Sequence, residues 1–129
     1  MAAVEDPIHI AIYDYLTATL PHGWKVKHTP NKPRSMQQGV REKRMGAKKG
    51  WPDLEIFGPI DGVGRCWMLE VKPPGVTVPA YQRDLHDELR DAGFAVRVVR
   101  SVEDARFAVS AWRLPSRDML IRDCEGASA

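Results

Sequence analysis

Cysteine is scarce in this sequence, and long hydrophobic runs are absent. Only two cysteines occur among 129 residues, Cys66 in a predicted strand and Cys124 near the end, too few for a disulfide framework or a thiolate metal site. No segment is apolar over the ~20 residues that a membrane-spanning helix needs, and the first residues lack the basic and apolar regions of a signal peptide. We therefore expect an untargeted cytoplasmic protein that makes no contact with membranes.

The length and composition fit one globular domain. A chain of 129 residues with 43% hydrophobic and 28% charged residues can bury a single core but not two. Apolar periodicity fades after Leu114. We therefore predict one domain over residues 1–115 and a frayed C-terminal tail over residues 116–129.

Positive charge is concentrated in one stretch, residues 29–50, which we call the basic segment. It holds seven of the 19 basic residues and one of the 17 acidic residues. The seven are Lys32, Arg34, Arg41, Lys43, Arg44, Lys48 and Lys49. Prolines, glycines and the lack of apolar periodicity predict a long exposed loop, and a loop of this length either carries function or is disordered. A charge run can also be an ordinary solvated surface, but its place just before a carboxylate cluster favours phosphate binding.

Hydrophobic periodicity predicts the element order αβββαβα. The elements are a helix at 7–20, a strand at 24–28, hairpin strands at 54–57 and 65–72 joined by a generous turn, a helix at 79–92, a strand at 94–99, and a helix that starts at Ser101. The helix at 79–92 has an apolar stripe formed by Tyr81, Leu85, Leu89 and Ala92. A hairpin followed by a strand–helix–strand crossover implies an α/β fold with a mixed sheet, one parallel pair and helices on at least one face.

Two carboxylates and a lysine occupy the predicted hairpin. Asp53 enters its first strand, and Glu70 and Lys72 lie two apart on its second strand, so they project to the same face. One or two carboxylates with a phosphate oxygen are a common grip on Mg²⁺. The carbonyl of Val71 could complete the ligand set, and Glu5 could join it if the first helix approaches the sheet. Lys72 could orient a water or offset charge on a phosphorane.

Each of these residues also has a plain structural interpretation. Pro-Asp is a common turn dipeptide, and a Glu-x-Lys strand face is often only a polar edge. The strand that carries Glu70 and Lys72 is otherwise apolar, however, and a buried charge is costly unless it is paired or bound to a metal. His9, His22 and His86 lack the spacing of zinc ligands, and His28 could either touch phosphate or simply end its strand.

Taken together, these motifs resemble the VRR-NUC branch of the PD-(D/E)xK nucleases over most of the chain. The matching positions are Glu5, Gly50-Trp-Pro-Asp53, Glu70-Val-Lys72, Gln82, Ala92-Gly-Phe-Ala-Val96 and Ser101-Val-Glu-Asp104. The resemblance implies a restriction-endonuclease-like core and hydrolysis of phosphodiester bonds with Mg²⁺ or Mn²⁺, and we expect no organic cofactor. It makes Asp53, Glu70, the carbonyl of Val71 and Glu5 metal ligands, Lys72 the catalytic lysine, and Gln82 the glutamine that holds this lysine or the substrate.

The resemblance also implies a biological setting. Stand-alone members look like homodimers that cut branched DNA such as four-way (Holliday) junctions, and many are encoded by phages or mobile elements. We accordingly expect a DNA endonuclease of a bacterial or phage-infected cell, associated with the nucleoid. Two alternatives stay open at this point: a catalytically silent DNA-binding module, and a nuclease that acts on linear ends or on RNA.

Overall fold

The computed structural model of the protein describes residues 5–30 and 35–121, and within these ranges it has four helices and four strands. They run in the order α1 (Glu5–Thr19), β1 (Lys25–His28), α2 (Met36–Arg44), β2 (Leu54–Ile60), β3 (Val63–Val71), α3 (Ala80–Asp91), β4 (Ala95–Val99) and α4 (Val102–Ala111). All seven predicted elements are present, and α2 is additional. None of the helices in these ranges is long and apolar enough to cross a membrane.

The four strands form one mixed sheet in the order β1-β2-β3-β4. β2 pairs antiparallel with β1 and β3, and β3 pairs parallel with β4, which confirms the predicted hairpin and crossover. The hairpin turn is shorter than predicted, because the strands continue to Ile60 and Val63. Only Asp61 and Gly62 lie between them, with φ values of 52° and 78°, and an Asp-Gly pair adopts such positive φ values readily.

Helices α1 and α4 cover one face of the sheet, which we call the first face. Trp67, Leu69 and Val71 of β3 point into this layer, as the period-two pattern predicts. The remaining buried members of this core are Ile12, Leu16, Leu20, Leu54, Ile56, Val99, Ala105, Ala108, Val109, Leu114 and Ile121. Ser101 caps α4 as predicted, because its Oγ accepts a hydrogen bond of 3.1 Å from the N–H of Asp104.

Helix α3 packs on the second face of the sheet, where Met68, Leu89 and Val96 form a smaller core. Its buried stripe differs from the predicted one: Gln82, His86 and Leu89 are buried, whereas Tyr81 is 46% exposed and Ala92 is exposed at the C-cap. The prediction placed the stripe on the wrong side of the helix because it followed the apolar residues, whereas two of the buried positions carry the polar side chains of Gln82 and His86.

A stacked pair of indoles fixes β1 and its preceding turn to the sheet. The rings of Trp24 and Trp67 have centroids 5.5 Å apart and planes 16° apart. A Cβ on Gly58 would lie 2.1 Å from Trp24 Cδ2, so only glycine leaves room for the indole here. Glycine inside a strand commonly marks such a close approach.

The predicted loop of the basic segment contains α2, so this part of the prediction was wrong. Ser35 caps the helix, its Oγ accepting a hydrogen bond of 3.1 Å from the N–H of Gln38, and Gln, Arg, Glu and Lys are good helix formers. None of its residues is buried. The helix therefore lacks the apolar stripe by which helices are usually found in a sequence.

The predicted C-terminal tail was wrong for residues 116–121, which pack against the domain. The N–H of Arg117 donates to Thr19 O at 2.7 Å. Asp118 accepts hydrogen bonds from Tyr15 Oη at 2.5 Å and Arg106 Nε at 2.7 Å, and Ile121 joins the core. Residues 122–129 lie outside the described part of the chain.

Candidate active site

Asp53 and Glu70 meet where β2 begins and β3 ends. The antiparallel register opposes Leu54 to Leu69, which places the residue before Leu54 beside the residue after Leu69. The N–H of Val71 donates to Asp53 Oδ2 at 2.8 Å and fixes this carboxylate in place. Only 8% of Asp53 and 1% of Glu70 is exposed to solvent. The predicted carboxylate pair is therefore brought together in a buried position.

The two carboxyl groups perturb each other. Burial, a hydrogen bond with Glu70 and the charge of Glu70 raise the pKa of Asp53 to about 7, against the opposing influence of the Val71 N–H and His9. Neighbouring carboxylates in a buried position disfavour each other's ionisation. At neutral pH the pair therefore retains a proton for part of the time, and a divalent cation could take the place of that proton.

Lys72 lies on the same side of the sheet as Glu70, as the two-residue spacing requires. Its Nζ is 3.7 Å from Glu70 Oε2, and its side chain is only 12% exposed. The main chain is held as well, because the Lys72 N–H donates to Val99 O at 3.0 Å and extends the pairing with β4. The ammonium is thus positioned next to the carboxylates with little freedom to move.

Two residues of α3 complete the second-face side of the cluster. His86 is 2% exposed, and its Nε2 lies 3.6 Å from Glu70 Oε1. Burial and the charge of Arg90 lower the pKa of His86, which favours the neutral ring. Gln82 is 7% exposed, and its Oε1 has no hydrogen-bond partner among the described residues. The resemblance identified Gln82, whereas His86 was missed, although the i, i+4 spacing places both on one helix face.

The loop before Asp53 approaches the start of α3 closely. Gly50 has a φ of +81°, and a Cβ there would lie 2.9 Å from the Tyr81 ring and 3.2 Å from Gln82 Cγ. The Lys49 ammonium lies over the same Tyr81 ring, 4.7 Å from its centroid. This glycine therefore allows the loop that carries Asp53 to pack against the helix that carries Gln82.

A pair of histidines lies on the other side of Asp53. The rings of His9 and His28 meet edge to face, with centroids 4.6 Å apart, and His28 Nδ1 is 3.3 Å from the Asp53 carbonyl oxygen. Burial, followed by the charge of His28, lowers the pKa of His9. Both rings line an open cleft with Asp53. The sequence did not indicate this contact, because it depends on how α1 packs against β1.

The described basic residues of the basic segment are exposed. Arg41, Lys43 and Arg44 lie on α2, and Lys48 and Lys49 lie in the turn before Gly50. Met36, Val40 and Met45 form an apolar strip beside them, with 87%, 59% and 69% exposure. Lys32 and Arg34 lie outside the described residues, as does the side chain of Glu5, so their predicted roles stay predictions.

The donor set suits a cation bound by few protein ligands. Among the described residues no group of three or more His, Cys, Asp or Glu side chains could hold a metal ion. Mg²⁺, however, keeps several waters and is usually bound by one or two carboxylates together with substrate phosphate. The Asp53–Glu70 pair and the nearby Val71 carbonyl fit that pattern.

Comparison with known proteins identifies the fold. No protein-family model matches the sequence, and no curated protein matches it significantly. A solved VRR_NUC domain protein is similar with a TM-score of 0.67 and 19% identity, over 89% of this chain and 93% of that one. A second structure, a VRR_NUC domain, has a TM-score of 0.57 and 23% identity over 84% and 96%. The chain thus has the VRR-NUC domain fold, a restriction-endonuclease-like mixed sheet flanked by helices, as the sequence resemblance predicted.

Proposed function

We propose that this protein is a metal-dependent endonuclease that hydrolyses phosphodiester bonds of DNA. The observation that carries the proposal is the buried pair of Asp53 and Glu70 with the Lys72 ammonium 3.7 Å from Glu70. Burying three ionisable groups costs several kcal/mol in order of magnitude, and a binding surface does not need them. The similarity to VRR_NUC domain structures, whose name denotes a nuclease domain, supports the same class of activity.

The carboxylates and the Val71 carbonyl are the groups that would hold Mg²⁺ or Mn²⁺, with Glu5 as a further candidate. Such an ion supplies Lewis acidity to the phosphate and lowers the pKa of a bound water. Asp53 suits this role, because burial, and then the hydrogen bond with Glu70 and its charge, raise the pKa of Asp53 to about 7, and a bound cation would favour the ionised form again. Its oxygen is also oriented before binding by the Val71 N–H.

Lys72 acts on the reacting phosphate in this proposal. Its ammonium orients the attacking water and offsets the negative charge that develops on the phosphate oxygens. Gln82 lies on the adjacent helix with an unsatisfied Oε1 among the described contacts, and an amide oxygen is an acceptor for an ammonium or a water. Gln82 therefore holds Lys72 or the substrate, and neutral His86 supports Glu70 from behind.

The basic segment is the proposed duplex-binding surface. Its lysines and arginines are exposed, and phosphate contacts of this kind supply much of the affinity for DNA. Arg41 and Arg44 lie beside the apolar strip of α2, and Lys43 is in the same last turn, so pairing of this helix with its copy in a second molecule would bring like charges together. An anionic partner is favoured over such self-association of α2.

The finer proposal is that the protein cuts branched DNA, such as four-way junctions, as a homodimer. Symmetric cutting of two strands requires two sites related by a dyad, and one domain has one site. The alternatives are a catalytically silent DNA-binding module and a nuclease for linear ends or RNA. The intact, buried Asp53 and Glu70, with the Lys72 ammonium beside them, favour an enzyme over a silent module.

Cleavage assays test the proposal. Four-way junction, flap, linear duplex, single-stranded DNA and RNA would each be incubated with the protein and Mg²⁺, Mn²⁺ or chelator. We expect cleavage of DNA only with metal, and a loss of at least about a thousandfold in rate for Lys72→Ala or Glu70→Gln, because each removes charge from the reacting centre. Sedimentation with and without junction DNA would give the oligomeric state.

The matched control is Arg117→Ala, which removes an exposed charge far along the chain from the site. Both site variants should still bind the junction, because the basic segment is intact. Full cleavage by either site variant, or equal loss in the control, would refute the assignment. Cleavage of RNA but not DNA would select the second alternative.

A further inference from the structure

The second face of the sheet is only partly covered. Helix α3 packs over Met68 and Val96 with Leu85 and Leu89, which covers β3 and β4. Across β1, β2 and the start of β3 the same face carries Lys25, Lys27, Glu55, Phe57 and Cys66, and we call these residues the open sheet surface. The salt bridge between Lys27 and Glu55, 3.7 Å long, shows that the side chains of β1 and β2 share this side.

The strand register arranges this surface in rows. Lys25, Phe57 and Cys66 are direct partners across three strands, and Lys27 and Glu55 are partners in the next row. Phe57 is 37% exposed and Phe94, which lines the same depression, is 42% exposed. Arg65 lines the depression as well. Aromatic rings thus lie beside the Lys25 ammonium on this face of the sheet, and the Arg65 guanidinium borders the same depression.

The exposed charge of the open sheet surface is positive. Its one acidic side chain, that of Glu55, is only 13% exposed, accepts a hydrogen bond of 2.9 Å from Thr29 Oγ1 and is paired with Lys27. Lys25 has no such acid opposite it, since its cross-strand partner is Phe57. A ligand that combines a flat ring with a negative charge is complementary to this arrangement.

The surface is continuous with the candidate active site. A neighbouring depression is lined by Lys27, Glu55, Lys48 and Trp51, and Trp51 is two residues before Asp53. Phe57 and Asp53 are four residues apart along β2, or about 13 Å at ~3.3 Å per residue. A short, extended ligand chain bound on the open sheet surface could therefore reach the carboxylates.

We propose that the open sheet surface binds single-stranded DNA, with bases stacked on Phe57 and Phe94 and the backbone held by Lys25 and Lys27. Non-specific single-strand binding sites combine basic grooves with aromatic stacking platforms in this way. Duplex bases are already stacked on one another and do not offer a free face to the rings. The inference deepens the proposed function, on which it rests, by naming substrates that carry a single-stranded segment next to the cut.

The test measures binding in chelator, without turnover. Fluorescence anisotropy would follow a labelled 15-nucleotide oligo(dT) and a 15-base-pair duplex of mixed sequence. We expect Lys25→Ala with Phe57→Ala to weaken single-strand binding about tenfold or more, because stacking dominates such sites, and to change duplex binding less than twofold. The matched control, Arg117→Ala with Phe107→Ala, removes one exposed cation and one 63% exposed ring from elsewhere and should leave both affinities unchanged.

A second variant guards against misfolding. Lys25→Glu alters only an exposed side chain and should also weaken single-strand binding selectively. Unchanged binding of oligo(dT) in both variants, or equal loss for single strand and duplex, would overturn the inference. So would dissociation of a dimer by Phe57→Ala, since the surface would then belong to a second copy of the chain.

The two proposals fail separately. Metal-dependent cleavage by the wild type together with normal oligo(dT) binding by the variants would remove the single-strand site and leave the nuclease. Selective loss of oligo(dT) binding in a protein that never cleaves DNA would leave the single-strand site and remove the nuclease.

Discussion

The environment of Asp53 shifts the pKa of its carboxyl group in two opposite directions. The Val71 N–H favours its charged form, while burial and the neighbouring Glu70 favour the neutral form and prevail. Between pH 3.8, the ordinary carboxyl pKa, and about pH 7, the folded protein therefore keeps a proton at Asp53 that the unfolded chain has already lost. In this way the site destabilises the fold at neutral pH in the absence of a cation.

The pH dependence of stability tests this account. Because the folded pKa of Asp53 is raised to about 7, the free energy of unfolding in chelator should fall as pH rises from about 4 to about 7 and then level off. Asp53→Asn keeps the shape without the charge and should gain a few kcal/mol above pH 7, at about 1.4 kcal/mol per pKa unit. Denaturant unfolding at several pH values would measure this, and a variant with the wild-type pH profile would contradict it.

Individual site residues differed in how readable they were from the sequence. That Glu70 and Lys72 share a face followed from the strand period, and the position of Asp53 followed from its place at the entry of a strand; their roles remain predictions. His86 could not be found by apolar counting, because it is a polar residue on the buried side of α3, where its Nε2 lies 3.6 Å from Glu70 of β3. The His9–His28 contact was also missed, because it depends on how α1 packs against β1.

Helix α2 carries several charged residues but does not pack into the hydrophobic core. Its termini are satisfied by the Ser35 cap and by the N–H of Met45, which donates to Arg41 O, and none of its residues is buried. A nine-residue helix without packing is marginal in water. A bound polyanion would stabilise it by contacting the three basic residues in its last turn.

Salt dependence of DNA binding tests the role of this element. Arg41→Gln with Arg44→Gln should weaken duplex binding across sequences and lower the slope of log K against log salt by roughly 0.9 per lost phosphate contact. Arg113→Gln with Arg117→Gln removes the same charge near the far end of α4 and should not change the slope. Identical slopes for the two double variants would show that α2 does not contact phosphate.

At the scale of the whole molecule, residues 116–121 join the two helices of the first face. Asp118 accepts hydrogen bonds from Tyr15 of α1 and Arg106 of α4. Burial alone would raise the pKa of Asp118, but the hydrogen bonds from Tyr15 and Arg106 outweigh it and lower the pKa. The segment therefore acts as a clasp, a link between α1 and α4 whose contribution to stability depends on the ionised carboxylate of Asp118.

Replacing Asp118 tests the clasp. Asp118→Asn should lower the free energy of unfolding at pH 7 by about 1–3 kcal/mol, because it weakens charge-assisted hydrogen bonds in a buried position. The difference should vanish as pH falls below 3.8 through the lowered folded pKa, where wild-type Asp118 is itself protonated. Asp87→Asn, which removes a surface ion pair with Arg90, is the control and should change little. A loss that persists undiminished at low pH would refute the mechanism.

The fold itself was readable where periodicity and turn residues agreed. Seven elements, the hairpin and the parallel crossover followed from strand alternation, glycine and proline positions and the Ser101 cap. The prediction was wrong at α2 and at residues 116–121, two segments with little apolar periodicity. The first is helical through capping and propensity, and the second is ordered by contacts with Tyr15 and Thr19, about a hundred residues earlier in the chain.

The stacked indoles of Trp24 and Trp67, 5.5 Å apart, provide an intrinsic spectroscopic signal for the attachment of β1 to the sheet. Two chromophores at this separation couple their electronic transitions, and we expect a paired positive and negative band in the circular dichroism spectrum if their transition dipoles are skewed. Trp24 directly precedes the outermost strand, and Trp67 lies in the strand that leads to Glu70. Detachment of that outer strand, with Lys25 and His28 upon it, would therefore extinguish the signal without any attached label.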